Sequence, residues 1–88
     1  MLRDWLEFVV QGLVDRPEDV EVIAIPQAGQ TLYELRVHPD DVGQVIGRRG
    51  ATINALRALA QAGAAKQGEN VAVDLVDDDE PASRRRRD

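Results

Sequence analysis

No cysteine occurs among the 88 residues. That excludes a disulfide framework and a thiolate metal site, and it suits a reducing cytoplasm. Aromatic residues are almost as scarce, with one Trp, one Tyr and one Phe. Surfaces that bind nucleic acid by stacking bases on exposed rings, such as recognition-motif and OB-type sheets, need more than this. The sole serine is Ser83 and the sole histidine is His38. Neither stands beside a partner for nucleophilic catalysis, so the chain reads as a binding protein and not an enzyme. No apolar run approaches the ~20 residues of a membrane-spanning helix. The N-terminus, MLRDWLEFVV, carries Asp4 and Glu7 and has no small-residue cleavage site, which argues against a signal peptide.

What is present is a charge asymmetry. The formal net charge is −5, from sixteen acidic and eleven basic residues. Taken globally, that disfavours a polyanionic partner. Yet the stretch from Val42 to Gly68 holds Arg48, Arg49, Arg57 and Lys66 and not one Asp or Glu. Charges act over about a Debye length, ~8 Å in physiological salt. A local positive island on an acidic protein can therefore hold one short strand, though it cannot coat a long duplex. At its centre lies Ile46-Gly47-Arg48-Arg49-Gly50, two arginines bracketed by glycines, with apolar periodicity on both sides. This predicts helix, tight turn, helix. The second helix starts near Gly50 or Ala51, so its free N–H groups and positive dipole end face the turn. A phosphate is the natural occupant of such a place. The continuation lacks G-K-[ST], which excludes a nucleotide-binding P-loop, and no cofactor is implied.

The rest of the chain supplies a scaffold. Leu2, Trp5, Leu6, Val9, Val10 and Leu13 follow helical spacing, predicting a helix over 2–14 that ends before Pro17, with Trp5 in the core. Val20 to Ile25 is β-branched and reads as a strand. Pro26 to Gln30 reads as a five-residue connection. Thr31 to Val37 alternates, with Tyr33, Leu35 and Val37 on one face and Leu32, Glu34 and Arg36 on the other. Asp40 and Asp41 fit as carboxylates at a helix start, and His38 as a strand-end surface residue. Val42, Val45 and Ile46 make the stripe of a short helix. Ile53, Leu56, Leu59 and Ala60 make that of a longer, alanine-rich one. Val71, Val73 and Leu75 face inward on a last strand. The remainder, DDDEPASRRRRD, reads as a disordered charged tail. The expected layout is one domain over 1–76, a tail over 77–88, and an α+β architecture of α-β-β-α-α-β with a three-stranded sheet and helices on one face.

Val45-Ile46-Gly47-Arg48-Arg49-Gly50-Ala51-Thr52-Ile53 resembles the signature of the KH domain, I-G-x-x-G followed three places later by an apolar residue. The element order resembles the type II, bacterial arrangement. More narrowly, Leu13 to Val20 and Asp41 to Gly47 are similar to the KhpA family of small single-KH proteins. The turn carries two arginines where that family more often has one lysine and a polar residue, so positive charge is kept. The resemblance implies single-stranded RNA in a groove between the turn, its two helices and the sheet edge. KH domains are the standard example of a G-x-x-G loop clamping about four backbone nucleotides. On this reading Gly47 and Gly50 admit phosphates to the main chain, and Arg48 and Arg49 bind them. Ile46, Ile53, Val42 and Val45 floor the groove, and Val71 to Val73 line its far wall. Arg57 and the tail residues Arg84, Arg85, Arg86 and Arg87 are accessory contacts. The resemblance also implies a post-transcriptional, chaperone-like role, a KhpB/Jag-like protein partner and self-association. The competing reading is a protein-interaction module whose groove is vestigial and whose alanine-rich helix forms the interface.

Overall fold

A computed structural model of the chain describes residues 2–77. The elements are α1 (Leu2–Leu13), β1 (Glu21–Gln27), β2 (Gln30–Val37), α2 (Val42–Ile46), α3 (Ala51–Ala65) and β3 (Val71–Asp77), with short 3-10 turns at Pro17–Asp19, Pro39–Asp41 and Arg48–Gly50. The order α-β-β-α-α-β is that of the type II arrangement. In the sheet β2 is central, antiparallel to β1 and parallel to β3. A parallel pair needs a crossover, and the α2–turn–α3 segment is that crossover. No helix among the described residues is long and apolar enough to cross a membrane.

One face of the sheet carries the core. Val22, Leu35, Val37, Val71 and Val73 share that face and pack with Leu6 and Val10 of α1, Val45 of α2, and Ile53, Leu56, Ala60 and Ala64 of α3. Trp5 and Tyr33 are partly buried at its margin. Burying an aliphatic side chain of this size contributes about 1.5–3 kcal/mol.

Four expectations need correction. The hairpin connection is Ala28-Gly29, not five residues, because β1 runs through Pro26 to Gln27. Pro26 lies four residues along from Val22, whose carbonyl faces the outer edge, so its missing N–H points away from the ladder. Gly29 makes the reversal at φ +80°. Leu59 is not on the buried face of α3 but is 59% exposed. The buried set is Ile53, Leu56, Ala60 and Ala64, and the helical wheel puts position 59 about 100° from the centre of that stripe.

Asp41 is no helix cap. It is 1% exposed, accepts the Arg16 backbone N–H at 3.1 Å, and faces the Arg16 guanidinium at 3.6 Å. It therefore ties the segment after α1 to the one after β2. His38 instead serves the turn, its Nδ1 accepting the Asp40 N–H at 3.0 Å. Lastly, β3 takes in Asp77, paired with Val37, so the strand outruns the expected boundary by one residue. The expected tail beyond it lies outside the described residues.

Candidate nucleic-acid interface

The turn between α2 and α3 is built by backbone that ordinary residues avoid. Gly47 has φ +76° and Gly50 φ +78°. At Gly47 space is as decisive as conformation. An added Cβ would fall onto the Thr52 side chain and within 2.9 Å of the Thr52 backbone nitrogen. At Gly50 conformation alone requires glycine, since the nearest obstacle is Asn54 Nδ2 at 3.5 Å. Between them Arg49 is left-handed at φ 56° and ψ 28°. For a residue with a Cβ that costs about 1–2 kcal/mol. Such an outlier persists where the surroundings hold it, and it points to a functional position. The Gly47 N–H closes α2 on Gly43 O at 2.9 Å, and the Gly50 N–H closes the turn on Gly47 O at 3.1 Å.

Arg48 and Arg49 are both exposed on this turn. Among the described residues neither guanidinium enters an ion pair or a hydrogen bond. Other arginines of the fold are committed: Arg3 to Asp4 and Glu7, Arg16 to Asp40 and Asp41, Arg36 to Glu34. The turn thus presents two unneutralised cations at the N-terminus of a 15-residue helix whose first turn carries no acidic residue.

The expected floor residues divide. Ile46 is 37% exposed beside the turn, and Val42 is half-buried. Val45 is wholly buried and Ile53 is 6% exposed, both in the core. Val45 therefore holds α2 against the sheet and offers no surface to a ligand. Ile53 offers little.

Of the expected far wall, Val71 and Val73 turn their side chains into the core at 6% exposed each, and the free edge of β3 is met by Arg57. Arg57 donates Nε–H to the Val73 carbonyl at 3.1 Å and an Nη1–H to Asn54 Oδ1 at 3.3 Å. The neighbouring outward group, the Leu75 N–H, is taken by Asp74 Oδ1 at 3.0 Å. Asn54, the partner of Arg57 at this edge, is not among the expected site residues. Its only signal was position, four residues after Gly50 and three before Arg57 on one helix face. Arg84, Arg85, Arg86 and Arg87 lie outside the described residues. Among the described residues, no group of three or more His, Cys, Asp or Glu is arranged to hold a metal ion.

The chain matches the family described as KhpA/KhpB, KH domain, over residues 3–75. It is 48% identical over 79 residues to the RNA-binding protein KhpA of Streptomyces coelicolor, spanning 90% of this chain and 96% of that protein. It is 49% identical over 78 residues to that of Leifsonia xyli, spanning 89% and 100%. Against that of Halalkalibacterium halodurans it is 41% identical over 76 residues, 86% and 100% of the two chains. No solved structure matches it. With its crossover turn, its parallel β2–β3 pair and matches of this length, the chain belongs to the KhpA/KhpB family of KH-domain proteins.

Proposed function

We propose that this protein binds single-stranded RNA in the groove between the Gly47–Gly50 turn, the flanking helices and the β3 edge. The carrying observation is the pair of exposed, unpaired arginines, Arg48 and Arg49, on a glycine-built turn at the mouth of α3. The RNA-binding names of its relatives support the same reading. Gly47 and Gly50 bring phosphates to the main chain, Arg48 and Arg49 supply charge and hydrogen bonds, and Ile46 with Val42 gives an apolar floor. With so few aromatics, affinity comes from backbone contacts, so one groove binds at a micromolar level with modest sequence selectivity. The role is that of a cytoplasmic RNA chaperone or post-transcriptional adaptor acting with a KhpB/Jag-like partner.

One observation favours partnership as well. An apolar groove of ≈ 320 Å³ lies between α1 and α3, lined by Leu2, Trp5, Leu59 and Gly63. It is on the side of α3 away from β3, so protein association and RNA binding use different surfaces.

The test is an RNA shift assay on the wild type and on Arg48→Asp/Arg49→Asp. Wild-type affinity should fall with salt, each phosphate contact contributing about −0.7 to the log–log slope. The double variant should lose binding and keep its melting temperature. Retained binding by a folded double variant would refute the groove reading.

A further inference from the structure

We propose that Arg57 is the base-reading residue of this groove and selects bases presenting two adjacent hydrogen-bond acceptors, cytosine or guanine, over adenine and uracil. The inference rests on the RNA-binding reading above and extends it to base preference.

Placement comes first. Gly50, Asn54, Arg57 and Gln61 recur at helical spacing and share one face of α3. That face runs along the outer edge of β3, as the Arg57–Val73 bond marks. A polar line joins turn to edge: Asn54 Nδ2 lies 3.5 Å from where a Gly50 Cβ would sit, Asn54 Oδ1 takes Arg57 Nη1–H at 3.3 Å, and Arg57 Nε–H reaches Val73 O at 3.1 Å. Seven residues at ~1.5 Å rise put Arg57 ~10 Å down the helix axis from Gly50. With a phosphate seated at the turn, Arg57 stands beside the bases and away from the clamp.

The chemistry follows from what Arg57 has left to give. A guanidinium carries five N–H donors in a rigid plane. The Nε–H is spent on Val73, and one Nη1–H on Asn54. These two bonds lock the plane. They leave three N–H donors uncommitted among the described residues, one on Nη1 and two on Nη2, and a fork takes one from each. A fork of parallel donors demands two acceptors side by side. Guanine has O6 and N7, the pair that arginine reads in duplex DNA. Cytosine has N3 and O2. Adenine places its amino group beside N1 and beside N7, and uracil places N3–H between its carbonyls, so neither offers the pair. In a single strand these edges are exposed for reading.

The strand's own main chain is poorly placed to do the reading instead. The outward Val73 carbonyl and Leu75 N–H are already occupied, by Arg57 and Asp74. Nor is Arg57 neutralised, since it makes no ion pair among the described residues.

The experiment measures fluorescence anisotropy of the full chain with short uridine oligonucleotides carrying at the centre a cytosine, a guanine, a 7-deazaguanine, an adenine or no substitution. The wild type should bind the cytosine or guanine oligonucleotide about tenfold more tightly than the adenine and all-uridine ones. Loss of the guanine advantage with 7-deazaguanine, which lacks N7, identifies guanine. An advantage confined to the cytosine arm identifies cytosine. Arg57→Lys keeps the charge without the fork and should abolish the ranking. Arg57→Gln should abolish the ranking too. Because a ranking is a ratio, it survives partial unfolding of a variant. Equal binding of all five by the wild type, an intact ranking in Arg57→Lys, or a uniform drop across all five (a phosphate contact) overturns the proposal alone. Failure of the wild type to bind any of them overturns the groove reading itself, and this proposal with it.

Discussion

Both free edges of the sheet are guarded by an arginine from a helix, and the two guards differ in a single respect. At the β1 edge Arg3 of α1 donates Nε–H to the Val22 carbonyl at 3.0 Å. At the β3 edge Arg57 of α3 donates Nε–H to the Val73 carbonyl at 3.1 Å. Each spares a row of main-chain groups from pairing with another chain. Arg3, however, is neutralised by Asp4 at 2.9 Å and by Glu7 at 3.1 Å. Arg57 has Ala58 and Gln61 at the i+1 and i+4 positions where Asp4 and Glu7 stand to Arg3, and the neutral Asn54 as its side-chain partner. One device is closed and structural. The other keeps its charge, on the side of the molecule that also carries Arg48 and Arg49. The difference is that no carboxylate pairs with the guanidinium at the β3 edge, where Asp74 is turned onto the Leu75 N–H instead.

The comparison can be broken most forcefully at the turn. Arg48→Asp/Arg49→Asp should weaken RNA binding by about a hundredfold or more in a low-salt shift assay, because each reversal replaces attraction by repulsion at a phosphate. Arg3→Gln, at the closed edge, should leave binding within about twofold in the same assay. Copying the closed edge onto the open one sharpens it. Gln61→Glu places a carboxylate four residues after Arg57, as Glu7 stands to Arg3, and should weaken RNA binding about fivefold while raising stability by ~0.3 kcal/mol. Two variants then lower stability. Gly47→Ala should cost about 2 kcal/mol or more in urea denaturation, since its Cβ has neither an allowed φ nor room beside Thr52. Asp41→Ala, remote from the turn, should cost about 1–3 kcal/mol by leaving the Arg16 N–H without its acceptor, with RNA affinity of the folded protein unchanged. Arg49→Gly moves stability the other way. It relieves the left-handed strain and should stabilise by about 1 kcal/mol or less while weakening RNA binding.

Much of the fold was legible because periodicity reports burial. The stripe Leu6–Val10, the alternation through Leu35 and Val37, and the strand at Val71–Val73 all lie in the core as their spacing predicts. Where spacing was ambiguous, it misled. Leu59 fits an apolar helix pattern by type, yet it sits off the buried stripe and lines the α1–α3 groove instead. Pro26 reads as a turn signal and proves to be an edge-strand residue, which depends on strand order and so on pairing partners remote in sequence. Asp41 reads as a cap because it precedes a helix, but its partner Arg16 lies 25 residues earlier.

The candidate site shows the same division. The amino-acid order alone determined that two arginines lie between glycines, ahead of a helix and within a stretch free of acid. Those are local facts, set by neighbours within one or two turns of chain. Which residues of that neighbourhood face outward was decided by packing, which drew Val45 and Ile53 into the core and left Ile46 at the surface. So was the union of Asn54, Arg57 and Val73 into one wall. The β3 edge reaches α3 only after the chain has crossed over the sheet and returned parallel to β2, and a contact made by such closure has no signature in any window of sequence.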